Sequence, residues 1–368
     1  MNWPRVAALR ALQRQHQLDF VALTPGPSFT YFTALPMHLS ERPILALLPA
    51  EEAPPIVIGP HFELGKLAAD RAAWHTYGYR DGEPFEQAFR RMAEDHLTSR
   101  RRIGIEPTHF RALEWMLLTA AAPGVELASA SELVAELRSI KDATEVDHLR
   151  AAVRCAERAL EATLPHIRLG MTEREAASLL IAQLFAAGAE GMPFQPLVQS
   201  GPNAALPHAT PSDRSLRAGD VLLLDFGATR NGYHSDITRT FALGEIPAVL
   251  RRAYELVQQA NAAGRVAAGP GVRAEAVDAA ARAVIEAGGF GAHFIHRTGH
   301  GLGLEGHEPP YIVLGNAKPL QPGMTFTIEP GIYLPGLGGV RIEDNVVITS
   351  NGCESLTTFP RELITLPL

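Results

Sequence analysis

Apolar and polar positions change rhythm twice along the chain, and each change marks a different kind of element. Pro4 suits the first turn of a helix, with Leu9, Leu12 and Leu18 available to an apolar face. Short apolar runs follow at Phe20–Leu23, Ile44–Leu48 and Ile56–Ile58, bounded by Pro or Gly as buried strands often are. Glu83–Leu97 reads as a helix, Ile103–Ile105 as a further strand and Phe110–Ala122 as another helix. The pattern predicts a small α/β domain over residues 1–130 and a larger domain over 131–368. Ser131–Ser139, Ala143–Leu164 and Thr172–Ala187 show the i, i+3/i+4 spacing of helices. Thr172 and Glu175 form a capping box, and Gly188 provides a stop. A rough duplication then emerges: a strand–turn–strand at 221–242, helices at 247–264 and 272–287, and a second strand–turn–strand at 324–348. Two similar halves facing one another would leave a cleft between them.

Composition narrows the field. Hydrophobic residues make up 46% and charged residues 20% of 368 positions, ordinary globular usage. The net charge of −7 argues against a nucleic-acid binder, which would carry a basic face. Two cysteines, Cys155 and Cys353, exclude a disulfide framework and a four-thiolate zinc site, and fit a reducing compartment. The first twenty residues hold no signal-peptide core. The longest uncharged stretch, Gly191–Ser212, contains five prolines and cannot span a membrane. These features predict a cytoplasmic protein.

The two strand–turn–strand segments carry acids where apolar residues are expected. Asn231-Gly232 is a strong hairpin turn signal. It sets Arg230 opposite Tyr233 and Asp225 opposite Thr238, so that Asp225 and Asp236 become diagonal neighbours on one face. In the second segment, a loop at Pro335–Gly339 brings Glu329 and Glu343 close on one face with Arg341, and Pro330 interrupts the ladder. Four carboxylates embedded in apolar sequence repel one another unless something positive sits among them, and a pair of divalent ions is the simplest candidate. His293, His296, His300 and His307 fall close together in Gly-rich sequence, and His208 precedes the first hairpin. A mostly carboxylate set with one imidazole favours Mn²⁺, with Co²⁺ and Zn²⁺ also admissible. Such an ion pair would acidify a shared water into a nucleophile.

The motifs PHATPSDRSLRAGDVLLLDFGA, GYHSDITRTF, HRTGHGLGLEGHE, PGMTFTIEPGIY and GGVRIEDNVVIT together resemble, in order, those of the pita-bread metallopeptidases, specifically the Xaa-Pro branch of prolidases and aminopeptidases P. The resemblance spans essentially the whole chain. It implies an α+β architecture: a pita-bread catalytic domain preceded by a smaller creatinase-like α/β domain. It implies Asp225, Asp236, His300, Glu329 and Glu343 as ligands of two divalent ions, with Glu329 also handling the proton. His208, His296 and His307 would bind proline and the developing oxyanion, and Arg341 would orient the carboxylates. A homodimer acting on proline-containing peptides is also implied. Prolidases of the family often carry an Arg between the second His motif and the first Glu motif to grip a dipeptide's carboxylate. Here PPYIVLGNAKPLQPGMTFTI holds Lys318 and no Arg, although Arg42 of the first domain offers another cation. That favours aminopeptidase P-like cleavage of longer peptides, with Xaa-Pro dipeptidase as the alternative. Three further alternatives are a non-catalytic peptide-binding module on the same fold, a methionine aminopeptidase and an unrelated phosphoesterase. The last has no phosphate-binding loop to support it, the second does not need the extra N-terminal domain, and all five ligand positions are present, which disfavours the first.

Overall fold

Asn2 starts the first helix, Trp3–Gln15, by accepting a hydrogen bond from the Arg5 amide, with Pro4 in the first turn. Of Leu9, Leu12 and Leu18, Leu9 lies on the buried face with Val6 and Gln13, Leu12 is only half-buried, and Leu18 is buried beyond the end of the helix. Gln13 tolerates burial because its amide donates to the Leu48 carbonyl at 2.9 Å. The computed structural model describes residues 1–67, 73–98 and 100–367 and divides into two units, Met1–Arg138 and Ser139–Leu368.

In the first unit a six-stranded mixed sheet has Phe20–Leu23 near its middle, antiparallel to Leu45–Pro49 and parallel to Arg102–Ile105. Ile56–Pro60 lies beyond Leu45–Pro49. The strands at the two edges, His75–Tyr79 and Glu126–Ser129, are absent from the apolar pattern. Edge strands are covered less completely, so they carry little of the continuous hydrophobicity that reveals an inner strand. Helices Glu86–His96 and Ala112–Ala121 cover the sheet, with Phe89, Met92, Leu117 and Leu118 packed on Phe20, Leu45, Leu47 and Ile103.

The second unit is built twice over on one plan. Asp142 and Glu145 form a capping box that starts the Ala143–Thr163 helix, and Thr172 and Glu175 start Glu173–Ala186 in the same way. The first hairpin pairs Val221–Phe226 with Ile237–Leu243. Asn231 and Gly232, at φ 51° and 78°, make the turn, and one register relates Arg230↔Tyr233 to Asp225↔Thr238 across a short interruption of the ladder at 227–228 and 235–236. Leu222, Leu224 and Phe226 pack on the first helix pair, whereas Val221 and Leu223 pack on the second pair, Ala248–Ala267 and Ala274–Ala287. A strand covered on both faces reads as a continuous apolar run, and that is the form of VLLLDF. Asp225 shares the face of Val221 and Leu223, so its carboxylate is aimed at the second half of the unit.

The second hairpin departs from expectation at its tip. Leu334 pairs with Gly338 and Tyr333 with Gly339, which leaves a three-residue loop, Pro335–Leu337, in place of Pro335–Gly339. The shorter loop shifts the register by two residues. Thr325–Ile328 pairs with Asp344–Ile348 in that same register, so Glu329 comes directly opposite Glu343 where Pro330 breaks the ladder. Two strands absent from the sequence pattern, Gly299–Gly301 and Glu308–Ile312, join this sheet beside Thr325–Ile328. Their Gly- and Pro-rich sequence gives no strand signal. The glycines are there because the backbones meet closely: a Cβ on Gly299 would lie 1.9 Å from the Thr327 carbonyl oxygen. No helix among the described residues is long and apolar enough to cross a membrane.

Gly299→Ala must therefore push apart the strands that carry His300 and Glu329. Overpacking of this kind costs about 1–3 kcal/mol. A thermal melt should show the loss as a lowered Tm, and an unchanged Tm would contradict the close approach.

Candidate active site

Asp225, Asp236, Glu343 and His300 are all buried. Glu329 is only slightly more open. Ligand-capable atoms of Asp225, Asp236 and Glu343 lie within 4.8 Å of one another, as do those of His300, Glu329 and Glu343 and those of Asp236, His300 and His307. The three groups share members, so they describe adjoining positions in one space. All five residues read as metal ligands from the sequence thus converge, and His307 comes within reach of two of them.

The surrounding groups leave specific oxygens unused. Arg341 donates from Nη2 to Asp225 Oδ2 at 2.5 Å, from Nε to Thr238 Oγ1 at 3.1 Å and from Nη1 to Tyr333 Oη at 2.7 Å. Thr238 donates to Glu343 Oε2 at 2.6 Å, and Thr327 to Glu329 Oε1 at 3.0 Å. Asp225 Oδ1 and Asp236 Oδ1 are buried and have no hydrogen-bond partner. A buried carboxylate oxygen without a donor is costly unless a cation occupies that side. The imidazole is oriented to match. His300 Nδ1 lies 3.1 Å from the Gly301 carbonyl oxygen and donates to it, which aims Nε2 at the acids, 3.2 Å from Glu329 and 3.7 Å from Asp236; a cation there would take the place of the Nε2 proton that meets Glu329. Unused hard oxygens and one inward-facing imidazole nitrogen fit a divalent metal site.

Electrostatics follow the same lines. Burial, then repulsion from Glu343, Asp225 and Glu329, raises the Asp236 carboxyl well above its ordinary value. Burial, then Glu329 and Asp225, does the same to Glu343. Asp225 is raised by burial, with Arg341 opposing. At Glu329 burial also works against charge, but the hydrogen bond and charge of His300 outweigh it and hold the group at about 2. Burial is the main cause that lowers His307 to about 4, so its ring is neutral at neutral pH.

The other predicted residues divide. His296 has both ring nitrogens engaged, Nδ1 with the Arg297 carbonyl at 2.7 Å and Nε2 with Tyr333 Oη at 2.8 Å. That leaves a ring edge, and no free nitrogen, for any ligand. His208 is exposed, on a turn whose carbonyls at Leu206 and Ala209 accept from the buried Gln199 amide. It sits outside the ligand groups, though its charge reaches Asp225, His296 and His307. Lys318 is exposed, and its carbonyl accepts from the Ala274 amide at the start of a helix. In the first unit Arg42 is held by Asp81 and Glu41.

Several contributors escaped the sequence reading. Thr238 was visible as the cross-strand partner of Asp225, and Thr327 as the same-face neighbour of Glu329. Nothing local marks Tyr333, which links Arg341 to His296. Asn345 holds the Asp236 backbone amide through Oδ1 at 3.0 Å. Arg239 is 1% exposed and uses every N–H: Nη1 to the Thr238 and Glu343 carbonyls, Nη2 to Asp344 Oδ1 and the Phe359 carbonyl, Nε to the Pro360 carbonyl. It ties both hairpins and the C-terminal segment together directly behind the acids.

Residues 147–350 match metallopeptidase family M24, and residues 5–140 match the creatinase/prolidase N-terminal domain. The chain belongs to metallopeptidase family M24. Within M24 it is similar to a probable dipeptidase, PepE, of Mycobacterium tuberculosis, at 38% identity over 99% of this chain and 96% of the relative. It is 35% identical to an Xaa-Pro dipeptidase of Lactobacillus helveticus, over 95% of each. The solved prolidase of Thermococcus sibiricus superposes with a TM-score of 0.93 at 34% identity, covering 100% of this chain and 99% of that one. The fold is the pita-bread fold with its N-terminal domain, an α+β architecture, and the protein is a metal-dependent peptidase.

The raised carboxyls give the metal-free protein a distinctive pH response. A folded-state pKa above the unfolded value stabilises at low pH, and that contribution is lost as pH rises through the folded value. The Tm of metal-stripped protein should therefore fall as pH climbs above the ordinary carboxylate range, and added Mn²⁺ should restore more stability at pH 8 than at pH 5. Equal restoration at both values would contradict the assigned directions.

Proposed function

We propose that this M24 peptidase is an Xaa-Pro dipeptidase, hydrolysing the bond between an N-terminal residue and a C-terminal proline. The observation that carries the chemistry is the buried carboxylate cluster with its two unpartnered aspartate oxygens. The absence of an arginine from the 309–328 segment favours aminopeptidase P. The full-length similarity to proteins named dipeptidase or prolidase outweighs it and favours the alternative.

In this reading Asp225, Asp236, His300, Glu329 and Glu343 hold two divalent ions, Mn²⁺ by the hardness of the donor set. Bound metal supplies Lewis acidity and an acidified water. The protein supplies the rest. Glu329, ionised at neutral pH and backed by Thr327, accepts the nucleophile's proton and delivers it to the departing proline nitrogen. Neutral His307, its ring centroid 3.9 Å from that of His300, keeps an N–H with which to donate to the carbonyl oxygen as charge develops there. Arg341 keeps Asp225 and Thr238 in place. His296 and Tyr333 form a wall for the proline ring, and His208 stands at the rim. An Xaa-Pro bond has no N–H for a peptidase to read, so ring shape must be recognised instead. A homodimer and a cytoplasmic setting belong to the same proposal, the latter supported by two unbridged cysteines.

With Mn²⁺ added, Ala-Pro should be hydrolysed and Ala-Pro-Ala left intact in a side-by-side assay. Cleavage of the tripeptide alone would return the reading to aminopeptidase P. Asp236→Ala should lose metal, measured by atomic absorption, together with activity. His307→Ala should retain metal and lose about 10²–10³ in kcat. Loss of metal in the His307 variant would move that residue into the ligand set.

A further inference from the structure

A dipeptidase has a recognition problem that the acids make worse. Its substrate ends in a carboxylate one residue beyond the scissile carbonyl, and consecutive Cα atoms are only about 3.8 Å apart. That negative charge must rest beside a cluster of four carboxylates. Two divalent ions would do no more than balance those four, so a further cation is required. Most nearby cations are already committed. Arg341 is spent on Asp225, Thr238 and Tyr333, and Arg239 has no N–H to spare. Lys141 is paired with Glu308, and Arg282 with Asp278.

Arg297 is different. Among the described residues its guanidinium makes no ion pair and donates no hydrogen bond, and its charge is felt by His307. Its position is nonetheless defined, because it lies over the Tyr311 ring, 4.6 Å from the centroid. Tyr311 is the cross-strand partner of His300, so both side chains stand on one face of the sheet. A guanidinium held over a ring and bonded to nothing else keeps its N–H donors unspent, and their fork matches a carboxylate. The backbone of the same residue accepts from His296, which ties the cation to the wall proposed for the proline ring.

Resting on the dipeptidase reading, we infer that Arg297, held on Tyr311, receives the free C-terminal carboxylate of the substrate and so confines cleavage to dipeptides. This places the missing cation just upstream of the 309–328 segment rather than within it.

The test compares Ala-Pro with its C-terminal amide in the Mn²⁺-loaded enzyme, and the binding of proline with that of prolinamide by calorimetry. Arg297→Met should lower the Ala-Pro to Ala-Pro-amide ratio of kcat/KM by about 10- to 100-fold, the loss falling on KM, with metal content as in the parent. Arg297→Lys should recover part of the ratio. The parent should bind proline over prolinamide, and Arg297→Met should abolish that preference. An unchanged ratio, or an equal loss on both substrates, would overturn the inference while leaving the dipeptidase reading intact. A parent enzyme that leaves Ala-Pro uncut but still loses its proline preference on Arg297→Met would overturn the dipeptidase reading instead.

Discussion

Mutual repulsion among buried carboxylates is the constraint around which the second unit is organised. Asp225, Asp236, Glu329 and Glu343 are drawn into one enclosed space, where each opposes ionisation of the others. A fold that only had to be stable would place apolar side chains at these positions. The acids are kept from dispersing by rigid backbone on every side. Arg239 binds the carbonyls of Thr238 and Glu343, Asn345 binds the amide of Asp236, and Thr238 and Thr327 each hold one carboxylate oxygen. What remains unsatisfied is aimed inward, at the side where a cation belongs.

That rigidity comes from how the two hairpins are packed. The Val221–Phe226 strand is covered by one helix pair on each face, so it cannot shift register without moving a full apolar set out of its core. The second hairpin is fixed by a three-residue loop at one end and by close backbone contact at Gly299 on the other. Asp344 adds a buried charge next to Glu343, met by Arg239 at 2.8 Å and Arg361 at 2.6 Å. Burial opposes its ionisation, and the two arginines overcome that and hold its carboxyl below the ordinary range. The unit therefore contains two acidic centres of opposite character: one neutralised by its own arginines, and one left open for metal.

Substrate recognition separates from metal binding along a similar line. The five residues proposed as ligands are carried on the two hairpins and the Gly299–Gly301 strand. The groups assigned to the proline and its carboxylate come mainly from the loop before that strand and from the strand beside it, joined by Tyr333 of the second hairpin and His208 at the rim. Such elements can vary while the metal centre stays constant, which is one way a single fold can serve several peptide lengths.

Much of this was legible in the residues alone. The capping box at Thr172, the Asn231-Gly232 turn and the pairing of Asp225 with Thr238 are local or nearly local, because turn geometry and the two-residue strand period determine them. The converging acids were legible because charge within an apolar run is rarely accidental. The tip of the second hairpin, the edge strands of the first unit and the strand holding His300 were not legible. Their pairing is imposed by neighbours distant in sequence, and Gly and Pro carry no period. Tyr333, Arg239 and Arg297 belong to the same class. A tyrosine or arginine has no local signature for the partner it will meet. Only tertiary packing decides whether its donors are consumed by the protein or left for a ligand.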